Sequence, residues 1–281
     1  MDYKAQSCAF CGSGALKLIS HKLTDGNVFY TYRCEACGET FSTETAYLAR
    51  KAREEKRAAM EQAAKQKKAT PAPSGTLDAP EIYRRNRNSV VELTADKGDC
   101  VGSGTGMVLP FGYVLTNAHV VFSKEKENAT RVQAADSLIG VTADKRRFAF
   151  DIVYADVRRD MALIVSDDLA APAVTFADGD VTIGEKVYAI GNSKGQGICM
   201  LDGIVSDRER FISSERYIMY SAPTVGGNSG GPLFNAHGEV IGMCTLGQKD
   251  GSLMNYAIPT PVLKAFLREA EEKEGIDVGV L

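Results

Sequence analysis

The stretch Gly226-Gly227-Asn228-Ser229-Gly230-Gly231-Pro232-Leu233 sets one serine in a turn lined with glycines. A hydroxyl is a weak nucleophile at neutral pH. It needs a base to take its proton and donors to hold the oxyanion formed when it attacks a carbonyl. Glycine has no Cβ, enters positive φ easily and lets main-chain N–H groups face a reacting carbonyl. The N–H groups of Gly227 and Ser229, with Asn228 between them, are therefore candidate oxyanion donors. Alone, a glycine-rich turn between strands is as often purely structural, so the reading depends on finding a base.

The chain has only three histidines, His21, His119 and His237. His237 lies in Asn235-Ala236-His237-Gly238, which reads as a solvated hairpin turn, and His21 belongs to a separate amino-terminal segment. His119 follows the short strand Gly112-Tyr113-Val114-Leu115-Thr116-Asn117 where that strand ends. A third element, Arg159-Asp160-Met161-Ala162-Leu163-Ile164-Val165, puts a carboxylate at the head of an apolar strand, where it can hold an imidazole N–H. Asp151, Asp156, Asp167 and Asp168 lack that position and read as solvated.

The ordered set Thr116-Asn117-Ala118-His119-Val120-Val121, Arg159-Asp160-Met161-Ala162-Leu163 and Gly227-Asn228-Ser229-Gly230-Gly231-Pro232 resembles the HtrA (Deg) branch of the trypsin-like serine peptidases. Histidine, aspartate and serine lie 41 and 69 residues apart, room for His119 and Asp160 in a first barrel and Ser229 in a second. The resemblance covers about residues 80 to 275. It implies that Ser229 attacks the scissile carbonyl of a polypeptide substrate, that His119 takes and returns the proton, and that Asp160 fixes the imidazole tautomer. It further implies that Gly227, Asn228 and Ser229 form the oxyanion hole.

The same resemblance implies that the residues before Ser229 and the strand after it line the primary substrate pocket. These are Pro223, Thr224 and Val225 on one side and Cys244, Thr245 and Leu246 on the other. Pro223, six residues before the serine, stands where a trypsin-like pocket carries an acid, so a preference for Lys or Arg is not expected. The medium-sized apolar wall points to a small aliphatic side chain such as Val, Ala or Leu.

The amino-terminal segment carries two knuckles, Cys8-Ala9-Phe10-Cys11-Gly12 and Cys34-Glu35-Ala36-Cys37-Gly38, separated by 22 residues. Two thiolates two residues apart grip one metal from a tight turn, and four close a tetrahedral shell. This is the spacing of a structural zinc ribbon over residues 1–43, with Cys8, Cys11, Cys34 and Cys37 as ligands. Zinc would supply the stability that so short a segment cannot obtain by burial. Disulfides or a redox centre are the alternative uses of these thiols.

Cys100, Cys199 and Cys244 remain as an odd set on separate apolar segments and read as buried free thiols. The first knuckle begins almost at Met1, which leaves no room for a signal segment. No apolar stretch approaches the roughly 18 residues of a membrane span. Both features lead to the expectation of a cytoplasmic protein without a membrane partner.

Residues 44–79 form a charged linker. Thr45 to Lys68 has no Gly or Pro and reads as a helix standing mostly in water, stopped by Thr70-Pro71-Ala72-Pro73-Ser74-Gly75. Arg50 to Lys68 holds eight Lys or Arg against three Glu, on a chain of 281 residues with a net charge of -3. A solvated spacer is the stronger reading. A nucleic-acid contact is the weaker one, because no aromatic and basic platform accompanies the charge. Ribbon and helix are also places for a protein partner or for assembly of copies of the chain.

After the linker, short β runs recur with Gly, Asp or Asn turns: Val90 to Leu93, Gly106 to Leu109, Val187 to Ile190 and Tyr217 to Tyr220. The expected fold is mainly β, two six-stranded β-barrels of chymotrypsin type over residues 80–170 and 175–259. A terminal helix over 260–274 carries Val262, Leu263, Phe266 and Leu267 at helical spacing. The glycine clusters Gly102 to Gly106 and Gly191 to Gly195 lack the order of a phosphate loop, so no nucleotide or catalytic metal is implied. From the length of the sequence to Leu281, the PDZ domain of HtrA enzymes is not expected. Two functions follow: an endopeptidase with a zinc-ribbon adaptor, or a binding or chaperone-like protein that keeps the fold with its site inactive.

Overall fold

Strand Met161–Val165 is buried at all but its last residue, and its side chains divide between two cores as a period of two requires. Met161 and Leu163 join one apolar cluster and Ala162 and Ile164 another. A strand covered on both faces has to be apolar throughout, which is why this run shows no alternation. The computed structural model describes residues 2–5, 14–24, 27–44, 51, 75–98, 100–124, 132–247 and 254–280. The chain divides into two units, Met1–Thr70 and Pro71–Leu281.

The first unit holds a four-stranded sheet of β1 (Asp2–Tyr3), β2 (Leu16–Thr24), β3 (Asn27–Cys34) and β4 (Thr40–Ser42). β3 pairs in parallel with β1 and antiparallel with β2 and β4. Phe29, Tyr32 and Cys34 on β3 supply its buried side chains. Cys8 and Cys11 lie outside the described residues. So does the expected linker helix, apart from Lys51.

The second unit opens with α1 (Ala79–Asn86), whose first turn is capped by the Asp78 carboxylate accepting Glu81 N–H at 2.9 Å. β5 (Val90–Asp96), β6 (Val101–Val108) and β7 (Tyr113–Thr116) follow, then the single turn α2 (Ala118–Val121). β8 (Phe122–Lys124) and β9 (Val132–Ala134) form a small ribbon. β10 (Ser137–Thr142), β11 (Arg147–Ala149), β12 (Asp151–Asp156) and β13 (Met161–Val165) complete the first half.

This first half is not the closed six-stranded barrel expected from the sequence. Its hydrogen bonds give a seven-stranded sheet in the order β11-β10-β5-β6-β7-β13-β12. The two outermost strands, β11 and β12, are consecutive in the chain, with Phe150 alone between them. The sheet therefore curls until one bent strand serves both its edges, and no ladder is needed to join them. Phe150 packs inside with Leu93, Val108, Val114 and Ile164.

The second half is a closed barrel of β14 (Lys186–Asn192), β15 (Ile198–Ile212), β16 (Glu215–Tyr220), β17 (Pro232–Phe234), β18 (Val240–Gly247) and β19 (Asn255–Pro259). Its order is β14-β15-β16-β19-β18-β17. The helix α3 (Thr260–Glu274) ends on Gly275 in the left-handed region at φ 63°. It buries Leu263, Phe266, Leu267 and Ala270 in the cluster that Met107, Leu115 and Leu163 share with Ile190, Phe234 and Met243. One apolar seam thus joins the two halves and the helix.

Candidate active site

β7 delivers His119. The strand ends at Thr116, Asn117 stays extended at φ -77° and ψ 146°, and the chain then makes the one turn of α2. In a helix this short only the Ala118 carbonyl finds an internal partner, the Phe122 N–H, and the later carbonyls need others. Lys97, 9% exposed, serves this end, donating from Nζ to His119 C=O of the helix at 2.7 Å and to Phe122 C=O just beyond it at 2.9 Å. Burial pushes the Lys97 ammonium below its ordinary pKa, yet these donor bonds give its charge a use. Gly102 makes room for it, since a Cβ there would sit 2.8 Å from Lys97 Cε.

Asp160 grips His119 twice. Its Oδ1 accepts His119 main-chain N–H at 2.9 Å, and His119 Nδ1 lies 3.0 Å from Oδ1 and 2.8 Å from Oδ2. An ionised carboxylate only accepts, so Nδ1 carries the proton and Nε2 keeps its lone pair. Asp160 sits at φ 57°, in the left-handed region few non-glycine residues occupy. Its own carbonyl is held by Asn117 Nδ2 at 2.8 Å, and its Oδ2 by the Thr245 hydroxyl at 2.7 Å.

Arg159 fixes the approach to Asp160. It donates from Nε to Asp156 Oδ2 at 2.6 Å and, as a fork, to Glu269 of α3 at 2.9 and 2.5 Å. Glu269 first, and then Asp156 against the opposing effect of burial, raise the pKa of its guanidinium. Asp156, expected to be solvated, is a partner of this arginine. Burial works to raise its carboxyl, but the Arg159 donors outweigh that and hold it below the usual range.

Ser229 stands in a turn built from buried main chain. Its hydroxyl donates to Thr245 C=O at 3.3 Å, and no hydrogen bond joins it to His119 among the described residues. Gly227 has φ 100°, and a Cβ on it would lie 2.1 Å from Asn192 C=O, so only glycine fits. Gly226 C=O accepts Lys194 N–H at 2.7 Å. In a trans peptide the C=O and N–H point opposite ways, so Gly227 N–H faces away from Lys194. Gly227 N–H and Ser229 N–H have no acceptor among the described residues. Two free donors beside a serine are what a tetrahedral oxyanion requires.

Of the six residues assigned to the pocket, Pro223 is exposed, Thr224 and Val225 are half-buried, Leu246 is 40% exposed and Cys244 is buried in the barrel. Thr245 departs from its assignment, because its hydroxyl is committed to Asp160 and is not offered to a substrate. Three consecutive strand residues cannot share one wall, and the irregularity between Cys244 and Leu246 re-aims the residue between them. Below Thr224, the fully buried Tyr220 hydroxyl bonds Thr224 Oγ1 at 2.7 Å.

In the first unit, Cys34 closes β3 and Cys37 lies in the turn that follows. Gly38 N–H returns to Cys34 C=O at 2.9 Å with φ 80°, the tight turn a thiolate pair needs around a metal. Thr105, Lys97, Arg159 and Lys194 were not found from the sequence. Apart from the Arg159–Asp156 contact, their bonds run between segments far apart in the chain, and no local pattern announces them.

Residues 104–243 match the family model described as a trypsin-like peptidase domain, and the fold of this part of the chain is chymotrypsin-like. Within this class the likeness is to proteases of the HtrA/DegP type. A probable periplasmic serine endoprotease DegP-like of Pseudomonas putida strain W619 is 31% identical over 195 residues, covering 65% of this chain and 38% of that one. Its counterpart in Marinomonas sp. strain MWYL1 is 36% identical over 169 residues, covering 57% and 33%. Among solved structures, the HtrA-type protease AlgW with tripeptide superposes with TM-score 0.62 at 28% identity, covering 71% of this chain and 65% of that one. A serine endoprotease from Yersinia pestis gives 0.60 at 25%, covering 71% and 69%. The chain thus spans well under half the length of the curated relatives it matches.

These relatives overturn the cytoplasmic expectation, since they are named periplasmic. The cysteine argument behind it also fails on geometry. Only Cys244 of the three remaining thiols is buried, while Cys100 is exposed and Cys199 half-buried. Single cysteines far from one another say little about a compartment's redox state. Among the described residues no helix is long and apolar enough to cross a membrane.

Proposed function

We propose that this chain is a serine endopeptidase acting on polypeptides through Ser229, His119 and Asp160. The observation that carries the reading is the pair of unpartnered N–H groups on Gly227 and Ser229, with Gly226 C=O held in the opposite direction. When a peptide docks, the Ser229 hydroxyl turns from Thr245 C=O to His119 Nε2 and gives up its proton as Oγ bonds to the scissile carbon. The carbonyl electrons move to oxygen, which Gly227 and Ser229 N–H then hold. The tetrahedral species collapses with cleavage of the C–N bond, and His119 returns the proton to the leaving amine. Water repeats the sequence on the acyl-enzyme and releases Ser229. Asp160, oriented by Thr245, steadies the imidazolium in both halves.

The alternative, a binding protein with an inactive site, needs the Gly226–Gly227 peptide reversed, and the Lys194 bond to Gly226 weighs against it. The pocket reading retains a small aliphatic side chain before the scissile bond, with no acid at Pro223 to select a basic one. The likeness to endoproteases supports a protein substrate. For the amino-terminal unit we infer a structural zinc held by Cys8, Cys11, Cys34 and Cys37, and a role in partner binding or assembly. The Cys34–Gly38 turn supports the metal.

A fluorophosphonate probe tests the central claim. Labelling of Ser229 that needs both the native fold and His119, with loss of cleavage of a denatured protein in Ser229→Ala, is the expected result. Equal labelling of native and denatured protein refutes it. Metal analysis is expected to find one zinc per chain, lost on substitution of Cys34 and Cys37.

A further inference from the structure

Thr105, on β6, is fully buried, and each of its polar groups is hydrogen-bonded. Its N–H donates to Ser229 C=O at 2.8 Å, and its C=O accepts the Thr116 hydroxyl at 2.7 Å. Its hydroxyl donates to Gly227 C=O at 2.6 Å and accepts Asn192 N–H at 2.9 Å. One side chain from the first half of the unit thereby joins two segments of the second, the Ser229 turn and the end of β14.

The direction of Gly227 N–H depends on the peptides on either side of it. The preceding one is set by Lys194 N–H on Gly226 C=O, and the following one by the Thr105 hydroxyl on Gly227 C=O. Glycine has the freest backbone of any residue, so with either carbonyl released this turn has other conformations open to it. The two restraints are not equal. Lys194 belongs to the turn Ser193–Gly195 and has φ 54°, while Gly226 is exposed. Thr105 comes from a buried strand and also holds Asn192, the residue from which that turn departs. An apolar side chain at this position would fill the same space and make neither bond.

We propose that Thr105 is a positioning residue for the oxyanion hole. Its hydroxyl fixes the Gly227–Asn228 peptide and, through Asn192, the turn that carries Lys194, so that Gly227 N–H stays aimed at the reacting carbonyl oxygen. This rests on the peptidase reading and deepens it, since it concerns how that site is held.

Thr105→Val keeps the shape and removes the hydroxyl, and Thr105→Ser keeps the hydroxyl. On a chromogenic peptide with valine before the scissile bond, T105V is expected to lower kcat about 30-fold with KM within about twofold. T105S is expected to recover kcat to within about threefold of the parent. A peptidyl boronic acid, whose adduct with Ser229 puts an oxygen between the two donors, should lose affinity in step with kcat, while the matching peptide amide binds unchanged. A role confined to stability would weaken boronate and amide alike and would leave kcat of the folded variant intact. Either of those results, or a T105V protein with the parent's kcat, overturns the proposal. Thr105→Ala carries the same comparison where T105V does not fold. A parent protein that never reacts with fluorophosphonate at Ser229 overturns the peptidase reading itself, an outcome distinct from a reactive parent with an unaffected variant.

Discussion

The Thr245 hydroxyl donates to Asp160 Oδ2 at 2.7 Å, while the carbonyl of the same residue accepts the Ser229 hydroxyl at 3.3 Å. One residue of β18 thus touches both ends of the proposed proton relay. Its side chain leaves Asp160 with one oxygen shared between Thr245 and the imidazole, which fixes the carboxylate plane. Thr245→Val removes a bond to a charged group, worth about 1.5–3 kcal/mol when its geometry is good. Turnover of a peptide substrate is expected to fall about 10- to 100-fold, and Thr245→Ser should restore most of it. A T245V protein with the parent's kcat would show that His119 and the main chain alone orient Asp160.

Asp160 holds its carboxylate in place from a left-handed backbone, φ 57°. Aspartate and asparagine enter that region at least cost among residues with a Cβ. Asp160→Asn should therefore fold with a stability within about 1 kcal/mol of the parent. The amide, however, offers a donor where the imidazole needs an acceptor, which favours the wrong tautomer, and turnover should drop about 10,000-fold. Denaturant unfolding and peptide hydrolysis measured on one preparation separate the two effects. A large loss of stability would mean that the charge, rather than the backbone, maintains the loop.

What was legible in the sequence was the order and local setting of the three chemical blocks, because each stands at the edge of an apolar strand with its own turn signal. The terminal helix was legible from the spacing of Leu263, Phe266 and Leu267. The supports of the site were not. Thr105 sits in the glycine cluster Gly102 to Gly106, which reads only as a turn or tight strand packing, and its partners Asn192 and Gly227 lie 87 and 122 residues away. Thr245 was assigned to a pocket wall because composition does not reveal a bulge. Arg159 stood out only as the neighbour of Asp160, and that α3 brings Glu269 to it is a tertiary fact. The closure of the first half was hidden too, since a single bend at Phe150 turns one long strand into both edges of a sheet.

The Arg159–Glu269 fork gives a pH dependence of known sign. The Arg159 donors hold the Glu269 carboxyl below its ordinary pKa in the folded state. Stability from this pair is therefore fully present above the unfolded value, about 4.3, and is lost as pH falls through the lower folded value. Glu269 is 38% exposed, which screens the pair to about 1 kcal/mol. Glu269→Gln is expected to lower Tm by about 2–4 °C at pH 7, with the gap from the parent narrowing at a pH well below the unfolded value. A gap of equal size at both pH values would trace the loss to packing of α3 and not to the charge.

Thiol labelling reports whether the Ser229 turn opens. Cys244 is fully buried, and desolvation pushes its thiol up to about 11. Its main chain also closes the turn, with Cys244 C=O accepting Gly230 N–H at 2.9 Å and Cys244 N–H donating to Gly231 C=O at 2.8 Å. Reaching its sulfur requires those strands to part. Cys100 is exposed and needs no such opening. With iodoacetamide at pH 8, Cys100 is expected to react in native buffer, and Cys244 only as the unit unfolds. Read by peptide mass spectrometry across a urea series, Cys244 labelling should follow the global unfolding curve. Labelling of Cys244 in native buffer, well ahead of that curve, would mean that the turn carrying Ser229 opens locally and that its oxyanion donors are set only part of the time.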